Sequence, residues 1–118
     1  MAIYEYGLEV ISGDASRWSK NPPLEEHIEE CRRWLAVYAR PSKGWGKRTS
    51  YGYKHTVEAW AGRYITNGAF LEAARRMGFE LRRVRDNCPN AFFKMKIEDP
   101  ARRRRREQRQ RDDLQIGS

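Results

Sequence analysis

Residues 43–55, KGWGKRTSYGYKH, gather four cations, three aromatic rings and three glycines, with no acid among them. Three chemistries are open to such a segment: a phosphate-cradling loop, a general base at His55, or a surface on which nucleic acid lies. A phosphate-cradling loop needs two glycines five apart, then Lys and Ser/Thr, between a strand and a helix. Here Gly44 and Gly46 are separated by one residue, the segment follows a predicted helix, and no magnesium-binding acid follows a strand. Nucleotide hydrolysis is therefore set aside. A catalytic His55 would need a nucleophile or a substrate pocket at useful spacing, and the sequence supplies neither. Lys54 and Glu58 stand at the i,i+4 spacing of an ordinary helix pair.

As a nucleic-acid surface the segment fits better. Lys43, Lys47, Arg48 and Lys54 can reach phosphates, and Trp45 offers a flat face to a base or sugar. The glycines allow close backbone approach, and Tyr51 falls on the outward side of the following helix. The competing reading folds Trp45 back over the core and leaves the lysines solvated.

A zinc site is the sharper alternative. His27 and Cys31 are i,i+4 on one helix, and His55 and Cys88 complete the histidines and cysteines of the chain. Their ligand types suit tetrahedral zinc, but the short Cys-x-x-Cys type of pair is missing and Cys31 falls on an apolar stripe. Both cysteines read as free thiols, as expected in a reducing compartment. No carboxylate pair stands in a catalytic context. The sequence thus predicts no metal, no cofactor, no small-molecule substrate and no enzymatic activity.

Charge gives the direction. The 118 residues carry 24 Lys and Arg against 16 Asp and Glu, a net charge of +8. Residues 1–40 are slightly acidic, with five basic and seven acidic side chains. Residues 41–97 hold twelve against four. A basic body of this kind suits a polyanion or an acidic protein surface, although charge also serves solubility alone. The cations predicted to bind beyond the opening segment are Arg75 and Arg76 on a helix, and Arg82, Arg83, Lys94 and Lys96 on a hairpin. To these are added Arg102, Arg103, Arg104, Arg105 and Arg106 in a tail. Arginine runs of that type are often solvated and disordered, yet bind nucleic acid at low salt. The longest apolar run is well below the ~18 residues that cross a bilayer. Acids stand near the N-terminus where a signal peptide would be basic. A soluble protein of the bacterial cytoplasm, without membrane contact, is expected.

The elements that must position these side chains follow from periodicity. Residues 3–11 alternate as a strand. Asn21, followed by Pro22, is the expected cap of a long helix whose stripe is Leu24, Ile28, Cys31, Leu35 and Tyr38, with Pro41 ending it. Ser50 should cap a helix over 51–61 with Tyr53, Val57, Trp60 and Ala61 inward, ended by Gly62. Thr66 or Asn67 should cap a third helix through Met77, with Phe70, Ala73, Ala74 and Met77 inward. Residues 79–97 read as a hairpin around Asp86-Asn87-Cys88-Pro89-Asn90, with Phe93, Met95 and Ile97 packed and Lys94 and Lys96 outward. Residues 1–99 form a single α+β domain in this reading, and 100–118 an arginine-rich tail or helix without an apolar stripe. Helix, turn, helix and hairpin give a winged-helix-like outline, in which 67–77 is the recognition helix and strand 3–11 completes the sheet. The first turn of that helix, Asn67-Gly68-Ala69-Phe70, offers little to base edges, so backbone contact is expected over sequence readout.

Residues 50–93 carry a pattern of Ser50, Tyr51, Lys54 and His55, then Tyr64, Ile65, Thr66, Asn67, Gly68 and Phe70, then Gly78 and Phe79, then Asn90 and Phe92. In this it resembles a loose group of small proteins of phages, plasmids and integrated elements. The resemblance implies a mobile-element protein that binds nucleic acid or disables a host defence complex, and it brings no catalytic residue with it. Direct binding of DNA or RNA is the first expectation. The alternative is an anti-CRISPR-like inhibitor that occludes a nucleic-acid-binding effector, for example by setting Glu25, Glu26, Glu29 and Glu30 against a basic channel.

Overall fold

The computed structural model describes residues 2–11, 18–99, 105, 108 and 109. Three α-helices and short antiparallel strands surround one core, the small α+β architecture that the sequence predicts. The chain runs β1 (Ile3–Tyr4), β2 (Gly7–Leu8), α1 (Glu25–Tyr38), β3 (Ala39–Pro41), α2 (Ser50–Ala61), α3 (Asn67–Arg76), β4 (Leu81–Arg83), β5 (Ala91–Phe93) and β6 (Met95–Ile97). The strands pair as β1 with β2, β3 with β6, and β4 with β5.

The expected strand 3–11 is instead a tight hairpin, with Ile3 opposite Leu8 and Tyr4 opposite Gly7. Gly7 makes the reversal at φ 137°, a conformation open to glycine. This hairpin joins no other described strand. It docks on α3, where the Gly68 amide donates to the Glu5 carbonyl at 2.9 Å. Asn21 is drawn into the same contact: its carbonyl accepts from the Glu5 amide and its side-chain amide donates to Glu5 Oε1. It is therefore not the cap of α1, which starts later with Leu24 in the cap position and no side-chain bond. Glu25 and Glu26 favour that end through the helix dipole.

The apolar stripe of α1 packs as predicted at Ile28, Cys31 and Leu35, joined by Trp34 and His27, while Leu24 is exposed. The helix ends at Tyr38, Ala39 is already extended at ψ 144°, and Pro41 disfavours helical backbone at Arg40 as the chain enters β3. Thr49, not Ser50, caps α2. Ser50 is buried, and its hydroxyl accepts from the Ala91 amide. Tyr53 and Val57 point inward, but Trp60 is exposed. Gly62 closes α2 in the left-handed conformation. Thr66 caps α3, and Gly78 follows it at φ 87°.

Phe70 lies at the centre of the core, stacked on Tyr53 at 5.1 Å between centroids and edge-on to Phe93 at 5.4 Å, with Trp34 at 6.2 Å. These rings come from all three helices and β5, so the burial of each depends on the others. The price is paid in surface at α3, whose residues 67–71, 73 and 74 are buried. Its first turn lies under the β1–β2 hairpin and cannot enter a groove, which removes the recognition-helix role. In the hairpin, Ala91, Phe93 and Met95 face inward, while Ile97 is exposed. The strand changes partners at Lys94: β5 pairs with β4, and β6 with β3.

Candidate nucleic-acid interface

Alternation along residues 91–97 sends Ala91, Phe93 and Met95 into the core and turns Phe92, Lys94 and Lys96 outward. Cross-strand register then sets Arg82 opposite Phe92 and Arg40 opposite Lys96. The loop after β3 lies against these strands, held by the Ser42 amide on the Lys94 carbonyl and the Gly46 amide on the Phe93 carbonyl. Between those two anchors stands Trp45. The Arg82 guanidinium is 4.5 Å from its ring centroid and the Lys94 ammonium 5.2 Å, both within cation–π range. Glu80 pairs with Lys94 at 2.9 Å. The indole is half-exposed and, with two cations over its ring, marks a positively charged strand face able to meet phosphates. Lys43, Lys47, Arg82 and Lys96 are exposed.

The other predicted cations are placed differently. Arg48 lies over the Tyr53 ring at 4.4 Å and donates to Thr56 Oγ1. Arg83 is turned inward, donating to the carbonyls of Glu9 and Cys88. Arg75 and Arg76 both bind Glu72, and Arg76 also forms a two-pronged bond with Glu25 at 2.8 and 2.9 Å. Arg105 is exposed, while Arg102, Arg103, Arg104 and Arg106 lie outside the described residues.

Lys54 departs furthest from the expected phosphate contact. Its side chain is only 8% exposed, and its ammonium bonds Glu58 Oε1 at 2.8 Å. It sits 4.7 Å from the Tyr64 centroid and 5.4 Å from that of Tyr51. Glu58 also accepts from the Ile65 amide and contacts His55 Nδ1 at 3.1 Å. Burial pushes the Glu58 carboxyl up, but the bonds from Lys54, Ile65 and His55 outweigh it and hold the group below the usual carboxylate range.

These side chains border a cavity of about 340 Å³ between the N-terminal hairpin, α2 and the start of α3. Tyr6 and Trp18 form one wall, their centroids 5.0 Å apart. Tyr51, Lys54 and Tyr64 line another part, and Asn67, Pro89 and Asn90 a third. The Asn67 amide nitrogen donates to the Tyr6 carbonyl at 2.9 Å and to Asn90 Oδ1 at 2.8 Å. Its carboxamide oxygen is buried without a hydrogen-bond partner among the described residues. Sequence reasoning did not assemble this cavity. Its available signals were Tyr64, Asn67 and Asn90 within the resemblance pattern, while Tyr6 read as a strand residue and Trp18 stood in a segment without period.

His27, Cys31 and Cys88 are buried and His55 is exposed. Among the described residues no three His, Cys, Asp or Glu side chains converge as metal ligands. Burial pushes the Cys31 thiol up to about 12, with the charge of Glu30 adding to it. Among those residues, too, no helix is long and apolar enough to cross a membrane. Comparison with known proteins finds no matching family model, curated protein or solved structure.

Proposed function

We propose that the chain is a non-enzymatic nucleic-acid-binding protein of a mobile genetic element, acting in the cytoplasm of a bacterial host. The observation that supports this is the half-exposed Trp45, with Arg82 and Lys94 over its ring, beside strands that also carry Arg40 and Lys96. Charge on this face draws in the phosphate backbone irrespective of sequence, and the indole adds stacking to an unpaired base. Single strands are therefore the favoured ligand. The buried first turn of α3 speaks against groove reading of duplex DNA.

Occlusion of a defence effector by the acidic face of α1 draws less support. Glu25 is engaged by Arg76, Glu26 by Arg63, and Glu29 by Arg32 and Arg33. Those carboxylates are already paired with cations of the same chain. The test is an anisotropy titration of labelled single-stranded DNA, single-stranded RNA and duplex at low salt, with wild type and Trp45→Ala. The proposal expects single strands to bind most tightly and Trp45→Ala to cost ~1–3 kcal/mol of binding. Absence of binding to all three would end it.

A further inference from the structure

We infer that the cavity bounded by Tyr6, Trp18, Tyr51 and Tyr64 is a pocket for one unstacked base of a bound single strand. The inference rests on the nucleic-acid reading and extends it to a second site, away from Trp45. The walls are aromatic and the polar groups few, the usual make-up of a small-ligand site, and about 340 Å³ is at the small end of such sites.

The chemistry of the lining selects the occupant. Glu5 also lines the cavity, but its Oε1 already accepts from Ser19 and Asn21, and Lys54 already supplies a cation over the Tyr51 and Tyr64 rings, so a cationic guest is disfavoured. A purely apolar guest would leave the remaining ammonium donors of Lys54 without an acceptor. Lys54 is more than nine-tenths buried. A nucleobase meets all these demands. Its face stacks on the tyrosine and tryptophan rings, and its ring nitrogens and carbonyls accept from Lys54. A base within a strand also brings phosphates, which the net positive charge of the chain favours.

The test reads the fluorescence lost on Trp18→Phe in a Trp45→Phe, Trp60→Phe background, where the buried Trp34 is the other indole, titrated with single-stranded oligonucleotides and, separately, with free mononucleotides. Tyr51 and Tyr64 are 52% and 67% exposed, so alanine at either position leaves the core intact. The inference expects saturable quenching by single strands, abolished by Trp18→Phe, with affinity lowered roughly tenfold by Tyr64→Ala and by Tyr51→Ala. Mononucleotides should quench far more weakly, because they lack the contacts at the strand face. Oligonucleotide binding that is unchanged by both tyrosine variants would overturn the pocket and leave the strand-face proposal standing. Absence of any oligonucleotide binding would overturn that proposal and the base pocket with it. Mononucleotide binding as tight as that of the strand would overturn the assignment to a strand and make the site a free-nucleotide pocket.

Discussion

The amide of Gly68 donates to the carbonyl of Glu5 at 2.9 Å, and this bond seats the N-terminal hairpin on the first turn of α3. The approach is so close that a Cβ on Gly68 would overlap the carbonyl of Tyr4, which is backbone and cannot swing aside. The same contact places Tyr6 at the mouth of the aromatic cavity.

Gly68→Ala should therefore displace the hairpin and cost about 2–4 kcal/mol of stability, although Ala for Gly inside a helix ordinarily stabilises it. Chemical denaturation measures it. An Ala variant as stable as wild type would show that the hairpin is not held as described.

Glu58→Gln should cost about 2–4 kcal/mol, because it leaves the buried Lys54 ammonium facing a neutral group. Lys54→Met in the Glu58→Gln background should recover part of that loss, since it removes the unpaired charge. A double variant less stable than Glu58→Gln alone would contradict this account of the pair.

Acid should destabilise the fold in a defined window. Bonds from Arg75 and Arg76 hold the Glu72 carboxyl below its ordinary 4.5, against the opposing effect of burial, and Glu58 is lowered as well. A group whose folded value is depressed contributes fully above its unfolded value and loses that contribution as pH falls through the folded one. The melting temperature should thus hold level down to about pH 5 and drop as pH falls below 4.5. Glu72→Gln should lower the plateau and flatten the acid limb. The exposed Glu25–Arg76 pair should add little.

Much of the fold was legible because its helices carry strong local signals. The spacing of Ile28, Cys31 and Leu35, and the punctuation by Gly62 and Gly78, locate the helices from sequence alone. What escaped depends on distant parts of the chain. Asn21 looks like a cap, but Glu5 claims it. Asn67 looks like a cap or a base reader, but bonds Tyr6 and Asn90. Lys54 is polar and near a helix start, so it read as exposed until Tyr51 and Tyr64 closed around it. The pairing of residues 39–41 with 95–97, which puts Arg40 beside Lys96, has no local signature either. Lys94, Arg82 and Trp45 were separate candidates in the sequence, and no local signal shows that they meet.

The salt dependence of single-strand binding tests the central claim most directly. Lys43, Arg82 and Lys96 are exposed and lie on or beside the proposed strand face. Changing all three to Ala should leave the melting temperature nearly unchanged. Each phosphate contact to a single strand contributes about 0.7 to the slope of log K against log salt. The triple variant should accordingly bind more weakly, with a slope shallower by about 2 if all three cations contact phosphate. A variant that matches wild type in both affinity and slope, or a wild type that binds no single strand at low salt, would contradict the account.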